Sequence, residues 1–318
     1  MDVVLIAVGF GLLIGGAELL VRGSAALATR YGISEMAVGL TVVAFGTSTP
    51  ELVVSMSASF QGHADLAISN VLGSNIVNVL GILGVAALIR SLPVSNATVL
   101  TEIPFSLTAA LLVGFLANAA LFSSHKTLEI SHIDGLILLF FFTLFMAYVY
   151  MIAKRDDGAD AGDDMVQVGP VASVAFVVLG LGGLIAGGWL VVDNAIDIAL
   201  DHGVSEAMIG LTIVAVGTSL PELSASAMAA YRGKTDMAVG NVIGSNIFNL
   251  LWILGICSLI TELPFNVLSN FDLAAVVFAT TLVLLAVAAG RKTCIHRAHG
   301  LLLVGAYAAY LAYVVHRG

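Results

Sequence analysis

Charge is what this chain has least of. Only 10% of its 318 residues are Asp, Glu, Lys or Arg, against roughly 25% in a soluble domain. So few charges cannot cover a solvated surface. With 59% hydrophobic residues and a mean hydropathy of +1.04, the composition excludes a soluble domain and reads as a polytopic membrane protein. Cysteine is scarce too: Cys257 and Cys294 lie in or beside apolar segments and read as buried small hydrophobes, not as a disulfide or a metal site. No basic run or aromatic-interleaved patch points to nucleic acid. No positively charged region precedes the first apolar run, which outlasts a signal peptide and reads as a retained helix. The formal net charge of −9 is concentrated in one loop and identifies no partner.

What is present is a succession of apolar runs. A membrane helix needs about 20 mostly apolar residues, and that criterion predicts ten spans, near 2–27, 35–60, 66–89, 98–121, 132–153, 171–198, 206–230, 237–260, 269–289 and 299–315. With the N-terminus outside, the cytoplasmic side holds Arg22, Arg30, Arg90, Lys154, Arg155, Arg232, Lys234, Arg291, Lys292 and Arg297. The outside holds only Lys126 and Arg317, which accounts for all 12 basic residues. The positive-inside rule therefore predicts both termini outside. The long acidic run after Lys154, RDDGADAGDD, reads as a solvated, flexible cytoplasmic linker; it lacks the spacing and the bidentate Glu of an ordered calcium loop.

The sequence repeats itself. GLTVVAFGTSTPELVVS at 39–55 matches GLTIVAVGTSLPELSAS at 210–226, and DLAISNVLGSNIVNVLGILG at 65–84 matches DMAVGNVIGSNIFNLLWILG at 236–255. A single offset aligns both pairs. The chain divides into a first five-helix repeat at 1–153, an acidic linker at 154–170 and a second five-helix repeat at 171–318. An odd number of spans per half forces the halves into opposite orientations. The predicted fold is an all-α membrane protein of ten transmembrane helices in two inverted repeats, a plan recurrent in secondary transporters.

Charges deep in a span are expensive and usually functional. Glu51 and Glu222 occupy matching repeat positions near the middle of spans 2 and 7, each directly after a proline, Pro50 or Pro221. Proline lacks an N–H and breaks the helix, which would free carbonyls near Thr47, Thr218, Ala44 or Ala215. Ser48 and Ser219 stand three residues before the glutamates, on the same helix face. In spans 3 and 8, Ser74 and Asn78, like Ser245 and Asn249, are four apart and share a face directed toward them. The pooled donors are all oxygen, the set calcium takes six to eight of, and sodium can use the same atoms. The seven histidines lie in loops or near span ends, so zinc and copper are not expected. Gly73, Gly244, Gly81 and Gly255 read as helix-packing glycines; Asn75 and Asn246 read equally as ligands or as interhelical hydrogen-bond partners. Glu18, Glu102, Asp193 and Asp197 have no counterpart in the other half and read as structural or gating.

GTSTPE, GTSLPE and the two GSNIxN segments resemble the paired alpha-repeats of the cation/calcium exchanger superfamily, and most of all its bacterial sodium/calcium antiporters. The resemblance implies competition of calcium and sodium for one cluster of sites. Glu51 and Glu222 would be the main cation ligands, joined by the side chains of Ser48, Ser219, Ser74, Ser245, Asn78 and Asn249 and the carbonyls of Thr47, Thr218, Ala44 and Ala215. It also implies that spans 1 and 6, with their glycine-rich GFGLLIGG and LGLGGLIAGG, slide across the core. Many relatives carry an aspartate at one final-asparagine position, whereas Asn78 and Asn249 are both neutral here, which argues against potassium and against a three-to-one exchange. The expected function is secondary active exchange of Ca2+ for Na+ at a midplane carboxylate site in a bacterial inner membrane. The alternatives are a proton-coupled antiporter for calcium or another cation, and a cation channel. An intramembrane enzyme is not expected, because no buried histidine activates Ser48 or Ser219. Neither a cofactor nor a protein partner is called for; the partners are the two ions and the bilayer.

Overall fold

A computed structural model describes residues 2–122, 128–153, 169–202, 215–288 and 293–317. The described residues are helical almost throughout. In order it forms α1 (Asp2–Tyr31), α2 (Glu35–Val38), α3 (Ala44–Thr47), α4 (Thr49–Phe60), α5 (Ala64–Ile76), α6 (Leu83–Ile89), α7 (Ile103–Ala117), α8 (His132–Ile152), α9 (Pro170–Asp201), α10 (Ala215–Gly217), α11 (Leu220–Tyr231), α12 (Thr235–Ile247), α13 (Leu254–Ile260), α14 (Ser269–Ala288) and α15 (Arg297–Arg317). Among the described residues, eight helices are long and apolar enough to cross a membrane, or nine with the bent pair Glu35–Thr47 and Thr49–Phe60 counted as one span. The 206–230 span begins outside the described residues, and so does nearly all of the 154–170 linker; α9 starts at Pro170, capped by Gly169.

The run expected as one helix at 35–60 is broken. It bends by 47° between Thr47 and Thr49, because Pro50 sits in the first turn of α4 with no N–H to continue the ladder. Spans 3 and 8 pass through the centre: 78% of each is buried, against 17–44% for the other long helices. Each is continuous but loosens into a π-helical stretch, Val77–Ile82 between α5 and α6 and Phe248–Ile253 between α12 and α13. Such stretches are rare and concentrate at functional sites. These elements superpose on the repeat, residue for residue. Two short antiparallel pairings staple span ends together: β1 (Leu92–Pro93) with β4 (Cys294–Ile295), and β2 (Glu129–Ile130) with β3 (Leu263–Pro264).

The long helices α1 and α9 run antiparallel in near-continuous contact. A Cβ on Gly9 would lie 2.9 Å from Gly187 O, one on Gly16 2.8 Å from Gly180 O, and one on Gly23 2.7 Å from Ser173 O. Glycines seven residues apart thus let the backbones touch, as small residues do between membrane helices. The glycines expected to make a sliding surface are not alike in their surroundings. Gly9, Gly16, Gly180 and Gly187 bind the two helices to each other, while Gly11, Gly15 and Gly182 face open space. Of the four glycines read as packing residues, Gly244 presses on Leu40 and Ala44, Gly255 on Leu139 and Gly81 on the Tyr307 ring, whereas Gly73 meets nothing within 4 Å.

Two of the four unmatched acids, Glu18 and Glu102, have structural partners. Glu18 on α1 pairs with Arg22 and with Arg232 at the end of α11. Glu102 is buried and accepts a 2.6 Å hydrogen bond from the Tyr148 hydroxyl. In a further ion pair, Lys234 Nζ lies 2.7 Å from Glu35 Oε1.

Candidate cation site

Both breaks deliver a carboxylate to the same place. Ser48 and Ser219 are the residues at which the helix stops and restarts (ψ of 8° and 7°), so Glu51 and Glu222 fall in the first turns of α4 and α11. The partial positive charge of a helix N-terminus favours a carboxylate there. Glu51, Glu222, Ser48, Ser219, Ser74, Ser245, Asn78, Asn249 and Thr47 are all exposed by 3% or less. Ala44 is buried beside them; of Ala215 only the backbone is described.

The halves are interleaved at this point. Ser48 Oγ donates to Glu222 Oε1 at 2.9 Å, and Ser219 Oγ donates to Glu51 Oε1 at 3.3 Å. Spacing puts each serine on the face of its own glutamate; the structure pairs it with the other half's. The reason is the helix break: Ser48 ends one helical segment and Glu51 opens the next, so three-residue spacing no longer brings them together. Ser74 Oγ also reaches Glu51 Oε1, at 3.5 Å. One oxygen of each carboxylate is therefore held by hydroxyls. The other, Glu51 Oε2 or Glu222 Oε2, is buried without a partner, as are Asn78 Oδ1, Asn249 Oδ1, Ser245 Oγ and Thr218 Oγ1. Buried polar atoms are rarely left unpaired. Here four of the six are pure acceptors in matched pairs from the two halves, Glu51 Oε2 with Glu222 Oε2 and Asn78 Oδ1 with Asn249 Oδ1.

The carbonyls differ between the halves. Ala44 O accepts the Ser48 N–H at 3.0 Å, whereas the equivalent Ser219 N–H turns to Val216 O at 3.2 Å. Thr47 Oγ1 lies 3.2 Å from Asn241 Oδ1 and 3.4 Å from Ala44 O. Among the described residues, no three of His, Cys, Asp and Glu come together as a metal-binding group, so the cluster's charge comes from two carboxylates among neutral oxygens.

Two polar residues that spacing did not single out support the glutamates from behind. Asn70 Nδ2 donates to Ser55 Oγ at 2.9 Å and to Glu51 O at 3.3 Å; Asn241 Nδ2 donates to Ser226 Oγ at 2.8 Å and to Glu222 O at 3.4 Å. The signal was in the repeat itself, where Asn and Ser recur in both copies at apolar depth. Asn75 and Asn246, left open between ligand and hydrogen-bond partner, are the latter: they bond across to the opposite half.

A family model described as "Sodium/calcium exchanger protein" matches residues 1–151 and 172–316. The chain is 35% identical to the inner membrane protein YrbG of Escherichia coli (strain K12), covering 97% of this chain and 95% of that one. It is 30% identical to the sodium/calcium exchanger MaX1 of Methanosarcina acetivorans, covering 98% and 97%. A solved structure of the sodium-calcium exchanger NCX_Mj, soaked with Na+ and Sr2+, superposes with a TM-score of 0.82 at 32% identity, covering 98% of this chain and 97% of that one. A multi-pass helical membrane protein, matched by the model through both halves and by relatives along nearly its whole length, this chain belongs to the sodium/calcium exchanger protein family.

Proposed function

We propose that this chain is a secondary antiporter that exchanges Ca2+ for Na+ by alternating access at the cluster around Glu51 and Glu222. The observation that carries the reading is the set of buried, unpartnered acceptors contributed equally by the two halves: both Oε2 atoms and the Oδ1 atoms of Asn78 and Asn249. Calcium takes six to eight oxygen ligands in a flexible geometry. These four, with the hydroxyls of Ser48, Ser219, Ser74 and Ser245 and the carbonyls of Thr47, Thr218, Ala44 and Ala215, offer more than enough oxygens for such a set, to be shared between the two ions. Sodium competes for the same atoms, and that competition couples the fluxes. The architecture is ten spans in two inverted five-helix repeats, 1–153 and 171–318, joined by the 154–170 linker. In support, α1 and α9, the first helices of the two halves, pack antiparallel, and the family match falls into two blocks with a gap over the linker. Bound backbone to backbone, α1 and α9 move as a pair across the core during access.

Purified protein reconstituted into sodium-loaded vesicles is expected to take up calcium only while an outward sodium gradient exists. Uptake indifferent to sodium and driven by a pH gradient would move the assignment to a proton-coupled antiporter.

The protein lies in a bacterial inner membrane with both termini outside, supported by the ten-to-two division of basic residues. A reporter fused after Lys154 is expected to read cytoplasmic; a periplasmic reading would invert the topology.

A further inference from the structure

We infer that Asn75 and Asn246 are positioning residues that fix the amide orientation of Asn249 and Asn78, so that both present oxygen to the cation. The inference rests on the exchange reading and adds to it the groups that determine which end of each ligand amide faces the ion.

An amide side chain can present either an oxygen or an NH2 group. Turned the wrong way, Asn78 or Asn249 would aim donor hydrogens at a cation and repel it. Nothing local to either residue prevents that turn. The constraint comes from a chain of hydrogen bonds anchored on backbone that cannot rotate. Asn75 Nδ2 donates to the carbonyl of Asn246 at 3.3 Å, and Asn246 Nδ2 donates to the carbonyl of Asn75 at 3.4 Å. Each carbonyl accepts only, so it dictates where the NH2 of its partner lies. The oxygens of Asn75 and Asn246 are thereby turned the other way. Asn75 Oδ1 receives Asn249 Nδ2 at 3.0 Å, and Asn246 Oδ1 receives Asn78 Nδ2 at 3.0 Å. With their NH2 groups engaged, Asn249 and Asn78 leave their own Oδ1 atoms buried and unpartnered in the site.

All four residues are exposed by 1% or less, so water does not compete for these bonds. Reversing Asn249 or Asn78 would set oxygen against oxygen, and reversing Asn75 or Asn246 would set oxygen against a carbonyl and NH2 against NH2. The arrangement is also crossed: Asn75 on span 3 sets Asn249 on span 8, and Asn246 on span 8 sets Asn78 on span 3. Each half aims the amide ligand of the other, so the ligand set is complete only when the two repeats are docked.

The test is a double-mutant cycle on calcium transport by the full-length chain in sodium-loaded vesicles. Substitution of residues that orient a metal ligand typically lowers metal affinity about 10–100-fold. Asn75→Leu is expected to raise the KM for calcium roughly tenfold or more by that mechanism, with a smaller change in kcat. Asn249→Leu is expected to do the same. If Asn75 acts through Asn249, the double variant is no worse than the single ones, since residues in one network are not additive. Asn75→Asp keeps an acceptor for Asn249 while losing the bond to the Asn246 carbonyl, and is expected to hold KM at or below the wild-type value. A purely structural role reverses that order, because the carboxylate is the more disruptive neighbour for a carbonyl. Should Asn75→Leu fail to fold, Asn246→Leu with Asn78→Leu poses the same question on the mirror-related pair. Effects on KM that multiply in the double variant, or an unchanged KM in Asn75→Leu, would overturn the inference while leaving exchange intact. A wild-type chain that moves no calcium under either a sodium or a proton gradient would overturn the exchange reading, and this inference with it.

Discussion

Glu51→Gln and Glu222→Gln are each expected to lower sodium-driven calcium uptake by roughly two orders of magnitude or more. Removing one partner of a buried ionic arrangement costs about 3–5 kcal/mol, and each 1.4 kcal/mol is about a factor of ten in affinity. Glutamine preserves the shape of the side chain and one acceptor oxygen, so Ser219 Oγ or Ser48 Oγ can still donate to it. What is lost is the negative charge and the free Oε2, whose place is taken by an NH2 group that a cation repels. The two halves contribute these oxygens in equivalent positions, so the two single variants should be of similar severity. Vesicle flux in both variants, beside thermal melting to show that they fold, measures it. Gradient-driven uptake that survives both substitutions would put the cation site elsewhere.

Gly180→Leu is expected to destabilise the protein sharply, while Gly182→Leu, two residues along the same helix, leaves it nearly unchanged. A Cβ at 180 would lie 2.5 Å from Leu20 N and 2.8 Å from Gly16 O. Those are backbone atoms of α1, which cannot swing aside as a side chain does. Overpacking a core that can adjust costs about 1–3 kcal/mol, and here the two helices must separate along their length. At 182 a Cβ meets nothing within 4 Å. Melting temperatures of the two purified variants, compared with wild type, decide the matter. Equal behaviour would mean that α1 and α9 are not held together by glycine contact. Transport should fall with stability in Gly180→Leu, because α9 flanks both broken helices: Gly46 abuts Leu181 and Gly217 abuts Val192.

Much of this was legible beforehand, for a physical reason. Burying backbone in a bilayer demands continuous apolar helices, so hydropathy along the chain marks the long helices with little need of context. A proline before a glutamate, twice and in matching surroundings, marks a broken helix carrying a charge. Of the motif residues, Ser48, Glu51, Ser74, Ser219 and Glu222 are buried and joined by hydrogen bonds. The misreadings came where a face had to be assigned. Three-residue spacing pairs Ser48 with Glu51, yet the break after Thr47 turns Ser48 toward Glu222. The glycines of α1 and α9 looked alike until the helices met and divided them into contact and open positions.

By itself, then, the sequence determined the helical membrane class, the two copies of one motif and the residues that bear charge at depth. These follow from composition and local pattern, which solvent and backbone chemistry alone can read. The tertiary structure decided which serine meets which glutamate, which asparagine aims which amide, and which glycine is filled. Each of those is a contact between the two halves, 174 positions apart for Ser48 with Glu222 and for Asn75 with Asn249, and no spacing within either half encodes it.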